Sequence, residues 1–286
     1  MGNVSAPAEK LCMNTATLRP WGLDRIVEEC ARRGVRAISP WRDQVNPFAF
    51  SEIRKWLQAA DMRVFGYCRA GLFPHAMAAD EAAIFDDNRR AVDEAAELGA
   101  DHLILVCGGL PGGLQWALQS KDIEQARIQV YEGIAHLLEH ARPARIRLAI
   151  EPLHPMFAAD RSCINTLGQA VDLCDGLDPT RRGDVGVAVD VYHTWWDPLL
   201  REQIARAANR ILSFQVSDWR LPTRDLLNDR GMMGDGAIEI RKIRAMVEAA
   251  GYDGFNEIEI FSDLDWYHRP GTETLDTCIA RYARHV

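Results

Sequence analysis

The chain has 286 residues, 48% hydrophobic and 26% charged, a balance that suits a soluble globular protein with a large core and one or two domains. Its 33 Lys+Arg against 41 Asp+Glu leave a formal net charge of -8, which argues against general binding to nucleic acid or to a membrane surface. Seven scattered cysteines without a C-x-x-C pair argue against a disulfide framework or thiolate zinc site; with no signal-like start and no long apolar run, they lead us to expect a cytoplasmic protein.

In chain order, short β-rich runs alternate with helical periodicity. Strands are expected at Leu11–Leu18, Ala37–Pro40, Arg63–Cys68, His102–Cys107, Arg147–Glu151, Val185–Asp190, Ile211–Val216 and Phe255–Phe261. Helices are expected between them at Leu23–Arg33, Glu52–Ala60, Ala82–Leu98, Asp122–His140, Leu167–Asp175, Leu199–Ala208 and Glu239–Ala250. Glycine punctuates crossings such as Arg33-Gly34-Val35 and Ala250-Gly251-Tyr252, where it ends a helix in the left-handed region. This alternation predicts an α/β fold with a parallel sheet, and eight strands are the number that closes into a (β/α)8 TIM barrel. An open doubly wound sheet is the alternative, but no G-x-G-x-x-G turn follows the first strand. No linker divides the chain, so residues 1–286 are read as a single barrel domain, with its active site at the C-terminal ends of the strands.

The last four strands end alike, in Glu151, Asp190, Gln215 and Glu259. Strand alternation puts Ala149 with Glu151, Ala188 with Asp190, and Ser213 with Gln215 on a face expected to point inward. Leu148, Ile150, Val189, Leu212, Phe214 and Ile258 are expected on the other face, against the helices. Three carboxylates brought together raise one another's pKa, so they need Arg/Lys partners or a divalent cation. A lone strand-end carboxylate is more often a helix cap or surface ion pair. Four polar tips in succession are read instead as one metal site, whose all-oxygen donors suit Mn²⁺ or Mg²⁺ better than structural zinc. Glu257 shares the parity of Glu259 one layer deeper, and a buried ion pair with Arg147 is expected there rather than a fifth ligand.

The segments Glu151-Pro-Leu-His154-Pro, Asp190-Val-Tyr-His193, Phe214-Gln215-Val-Ser-Asp218 and Gly251-Tyr-Asp-Gly-Phe-Asn-Glu-Ile-Glu259-Ile-Phe resemble the xylose isomerase-like TIM-barrel superfamily. Within it the match is to the sugar phosphate isomerase/epimerase branch, similar to ketose 3-epimerases, hydroxypyruvate isomerases, inosose-processing enzymes and endonuclease IV. The resemblance implies metal ligands at Glu151, Asp190, Gln215 and Glu259, with Glu151 and Glu259 also the acid/base pair and His193 on a substrate oxygen. The implied cofactor is one divalent cation, Mn²⁺ or Mg²⁺ before Co²⁺ or Zn²⁺. Gln215 departs from the His of many members, although hydroxypyruvate isomerases and some dehydroshikimate dehydratases also use Gln.

Such a site would stabilise an enediolate formed from a ketose or keto-polyol. Proton return to the opposite face gives an epimer, return to the neighbouring carbon an isomer, and loss of a β-group makes the same machinery a dehydratase or lyase. Arg220, His154 and Trp41 are further candidates for substrate contact, and Trp195-Trp196 for an apolar wall, although each side chain also suits ordinary loop packing. Cys107-Gly-Gly-Leu-Pro-Gly-Gly113 is read as a flexible loop and Arg220–Gly236 as a mobile lid. A nuclease would need more histidines, and a non-catalytic sugar-binding subunit would not need paired carboxylates. The partner expected is a small carbohydrate, with a homo-oligomer, dimer or tetramer, as the assembly.

Overall fold

A computed structural model describes residues 9–286. Its strands are β1 (Leu11–Asn14), β2 (Ala37–Ser39), β3 (Arg63–Val64), β4 (Gly66–Gly71), β5 (His102–Val106), β6 (Arg147–Glu151), β7 (Val185–Asp190), β8 (Ile211–Val216), β9 (Asp218–Trp219), β10 (Arg230–Gly231) and β11 (Asn256–Ile258). The longer helices are α1 (Leu23–Arg32), α3 (Phe50–Ala59), α4 (Ala78–Leu98), α5 (Ile123–Ala144), α6 (Leu167–Leu177), α8 (Leu200–Arg206), α9 (Ile240–Ala249) and α10 (Gly271–His285), with single turns α2 (Arg42–Val45) and α7 (Val191–Thr194).

Nine strands form one parallel sheet in the order β3-β2-β1-β11-β8-β7-β6-β5-β4. Its two ends, β3 and β4, are halves of one expected strand interrupted at Phe65: the first half pairs with β2 and the second with β5. A parallel bridge from Trp41 to Cys68 draws these ends together, so the sheet curls into a nearly closed barrel with helices outside. The short pair β9–β10 is antiparallel and stands above the C-terminal ends.

The outer face of the sheet is apolar and packs on helices through residues such as Leu148, Ile150, Val189, Phe214 and Ile258, as the alternation predicts. Inside, a small plug of Cys68, Ile104, Ala149, Ala188 and Leu212 fills the barrel, with Trp41 against it. Leu212 therefore contradicts the expected parity. The register between β7 and β8 slips at Val187/Ala188, so Leu212 is an extra residue and turns inward.

The expected first strand stops at Asn14 because its side-chain oxygen accepts the Ala16 N–H at 3.0 Å and starts a 3-10 turn over Thr15–Leu18. Gly34 and Gly251 end α1 and α9 at φ of 80° and 94°, as read from the sequence. Helix α10, not anticipated, buries Leu275, Cys278 and Tyr282, and its Tyr282 hydroxyl accepts from Asn256 Nδ2 at 2.7 Å. All seven cysteines are buried free thiols, and no helix among the described residues is long and apolar enough to cross a membrane.

Candidate functional site

At the C-terminal ends of β6, β7, β8 and β11 the side chains of Glu151, Asp190, Gln215 and Glu259 are all buried. Register aligns them: Asp190 lies beside Gln215, and Gln215 beside Glu257, two residues before Glu259. Asp190 also starts α7, because Oδ1 accepts the Tyr192 N–H at 2.8 Å. That turn brings His193 back over its own carboxylate, with Nε2 3.7 Å from Asp190 Oδ2 and 4.0 Å from Glu151 Oε1. The His154 N–H points at His193 Nδ1 at 3.1 Å, while Nε2 faces the carboxylates.

Arg230, on β10, reaches down into this group. Its Nη1 donates to Asp190 Oδ2 at 2.8 Å and to Glu259 Oε2 at 3.2 Å, and Nη2 lies 3.0 Å from His193 Nε2. The guanidinium sits over the Tyr192 ring at 4.5 Å and the Phe261 ring at 5.1 Å, so aromatic faces hold it from both sides.

Burial raises the Glu151 carboxyl well above the usual carboxylate range, and the neighbouring Glu259 and Asp190 charges add to it. Burial likewise raises Asp190 and Glu259, with Arg230 pulling both back. Arg230 loses solvation by burial, but Asp190 and Glu259 outweigh that and hold it above its ordinary value. Burial, with Arg230 and His154 nearby, lowers the His193 imidazole and keeps it neutral. One arginine thus faces three buried carboxylates. Both amide atoms of Gln215 are buried without a hydrogen-bond partner among the described residues, a costly arrangement unless something is ligated there. The donor set of three carboxylates and an unpartnered amide oxygen fits a hard divalent cation.

A deeper layer orients these groups. Asn14 Nδ2 donates to Glu257 Oε1 at 2.6 Å and to Glu259 Oε1 at 2.9 Å, and Ser213 Oγ donates to Glu257 Oε2 at 3.2 Å. The expected ion pair of Glu257 with Arg147 is not formed. Arg147 begins its strand at the N-terminal rim, exposed, and donates to the Asp101 carbonyl at 3.3 Å.

A cavity of about 270 Å³ opens above the carboxylates and is lined by Trp41, Glu151, His193, Arg230 and Glu259, among others. Trp41 meets Phe261 edge-on at 5.3 Å. His154 is partly exposed and packs between Trp196 and Trp219 outside the lining. Arg220 is held by Asp265 at 2.9 Å and Asp229 at 3.6 Å, also outside it. Trp195 leans on Trp219, and Trp196 Nε1 donates to the His193 carbonyl at 2.7 Å, so this pair supports the site from behind.

Two loop expectations change. The C-terminal half of the expected lid is anchored: Met232 and Met233 are fully buried, and the Asp218 carboxylate accepts the N–H groups of Gly234, Gly236 and Ile238 at 2.9, 2.9 and 3.0 Å. The glycine-rich loop after β5 is packed rather than free, since a Cβ at Gly113 would sit 2.1 Å from the Ala159 carbonyl oxygen. Asn14, Arg69, Arg161 and Arg230 are among the polar site residues that the sequence reading did not single out. Their signal is weak because they come from four separate parts of the chain, β1, β4, the turn after β6 and β10, with no repeated spacing.

A profile described as xylose isomerase-like TIM barrel matches residues 27–278. An inosose isomerase of Halalkalibacterium halodurans is 21% identical over 278 residues, which cover 94% of this chain and 93% of that protein. The crystal structure of protein SMc04130 from Sinorhizobium meliloti 1021 superposes with a TM-score of 0.92 at 52% identity, covering 97% of this chain and 98% of that one. The zinc-bound IOLI protein superposes with a TM-score of 0.82 at 18% identity over 97% and 99% of the two chains.

Proposed function

The chain belongs to the xylose isomerase-like TIM barrel family, and from that premise we propose that it is a divalent-metal-dependent isomerase or epimerase of a ketose or keto-polyol. Glu151, Asp190, Gln215 and Glu259 would hold the cation, and Glu151 and Glu259 would be the acid/base pair. The observation that carries this reading is the buried convergence of three carboxylates on a Gln215 amide with no partner among the described residues. When bound, a divalent cation supplies Lewis-acid stabilisation for charge developing on a substrate carbonyl oxygen.

The rest is the work of this chain's own groups. Glu151 and Glu259 rise from β6 and from just beyond β11, strands separated in the sheet by β7 and β8. They can therefore flank one carbon from two sides. Each is a carboxylate able to take the proton from the carbon beside a carbonyl. One carboxylate takes that proton as the enediolate forms, and the other gives a proton to the opposite face or to the adjacent carbon. His193 lines the cavity beside Glu151 and would meet a substrate oxygen there, and Arg230 holds Asp190 and Glu259 in position through its hydrogen bonds. The likeness to an inosose isomerase supports a cyclic or open keto-polyol as substrate.

Incubation with Mn²⁺ in D₂O against a panel of ketoses, keto-polyols and hydroxypyruvate tests the reading. Deuterium is expected on the carbon next to the carbonyl, metal-dependent and without loss of water, and absent in both Glu151→Gln and Glu259→Gln. Exchange that persists in both folded variants sinks the mechanism, and loss of water from the substrate moves the assignment to a lyase.

A further inference from the structure

The cavity wall carries two arginines that the proposed chemistry does not use. Arg69, on β4, and Arg161, in the turn after β6, line the same cavity as Glu151 and Glu259. Arg69 makes no hydrogen bond and no ion pair among the described residues; burial lowers its guanidinium from the ordinary value, and the nearby Arg161 and Arg42 charges lower it further. Among the described residues Arg161 has one loose ionic contact, Nε to the adjacent Asp160 at 3.6 Å, and its buried Nε has no hydrogen-bond partner. The other two lining arginines are already neutralised, Arg19 by Asp43 and Arg230 by Asp190 and Glu259. Asp263 also lines the cavity, but it is an exposed rim residue and offsets at most one charge.

Local backbone holds both side chains where they are. The register of β4 on β5 slips between Cys68 and Ala70, so Arg69 is the extra residue of a bulge, a device that re-aims a side chain out of the strand's alternation. Arg161 is pinned through its main chain: its N–H donates to the Phe157 carbonyl at 3.0 Å and its carbonyl accepts the Gly108 N–H at 3.1 Å. Two half-buried like charges line one cavity, and among the described residues neither is paired with the Glu151 and Glu259 carboxylates there, so both keep N–H donors free for an anion. Guanidinium forks match carboxylate and phosphate oxygens.

Resting on the isomerase or epimerase reading, we infer that Arg69 and Arg161 form a subsite for an anionic group, carboxylate or phosphate, on the substrate. The substrate is then an acidic keto sugar rather than a neutral one.

Equilibrium binding of D-ribulose 5-phosphate, 2-keto-D-gluconate and neutral D-fructose to the Mn²⁺-loaded protein tests this, with deuterium incorporation followed in parallel. At least one anion is expected to bind about tenfold or more tighter than fructose, the scale of one charge-assisted hydrogen bond. Whichever anion wins identifies the group as phosphate or carboxylate. Arg69→Gln and Arg161→Gln should each lose most of that excess, and Arg69→Lys should keep part of it. Unchanged Mn²⁺ affinity in the variants shows that the carboxylate site is intact. Fructose binding as tightly as both anions, or a preference that survives in the double variant, overturns the subsite. Failure of the isomerase reading looks different: the anion preference disappears in the variants as expected, yet no bound probe takes up deuterium.

Discussion

His102 begins β5 inside the barrel with neither ring nitrogen hydrogen-bonded among the described residues, its ring edge-on to Phe65 at 4.8 Å. Burial, with Arg147 and Arg63 adding to it, pushes its imidazole from 6.5 down to about 3. Between those values the unfolded chain binds a proton that the folded chain refuses. The stability is therefore fully present above about pH 6.5 and is lost as pH falls toward 3, by at most about 1.4 kcal/mol per pH unit. His102→Gln should show a smaller drop in urea midpoint between pH 7 and pH 5 than the parent protein; equal drops would refute the assignment. Arg230 makes the opposite case, a buried charge that must stay. Arg230→Met strands Asp190 and Glu259 and should cost about 3–5 kcal/mol, part of it regained with Mn²⁺, by thermal unfolding. Melting alongside the parent without added cation would show that the guanidinium is dispensable. Of these residues the sequence made the strand-end carboxylates legible, because their spacing repeats. Arg230 stands 40 residues from Asp190 in a glycine-rich connection, so its partnership exists only in the folded chain.

Single elements show where periodicity stops being informative. Alternation assigned the faces of β6 and β7 correctly, yet failed at Leu212 because one added residue in β8 reverses the parity and leaves no mark in composition. Helix α10 was missed because its buried positions include Thr274, Cys278 and Tyr282, residue types that read equally well as polar. The segment Arg220–Gly236 reads as a lid from its glycines, while the structure ties its C-terminal half through the Asp218 carboxylate. Asp218→Ala leaves three inward N–H groups unpaired and should cost about 3 kcal/mol. Limited proteolysis should then cut between 220 and 236 sooner than in the parent protein. An unaltered cleavage pattern would mean that the buried Met232 and Met233 alone hold the segment.

For the molecule as a whole, barrel topology was legible because eight strands with seven helices between them leave few arrangements of a sheet this long. What pattern could not supply was the closure, made by two halves of one strand on either side of Phe65. A cation that binds only the folded barrel stabilises all of it. After chelator treatment, Mn²⁺ at a hundredfold excess over its Kd should add about 2.7 kcal/mol, seen as a rise of several degrees in Tm. No rise with Mn²⁺, Mg²⁺, Co²⁺ or Zn²⁺ would remove the metal from the proposal.

Sheet order also sets a timetable for the ribosome. β4 to β8 each meet a neighbour soon after they are made, but β1 and β8 share the missing neighbour β11, in register Leu11–Asn256 on one side and Phe214–Asn256 on the other. A nascent chain shorter than about this length holds two open strand edges, the kind that capture other chains. Translation that stalls between β8 and β11 is thus the interval in which this protein most needs a chaperone, and truncation there should yield aggregates rather than a smaller barrel.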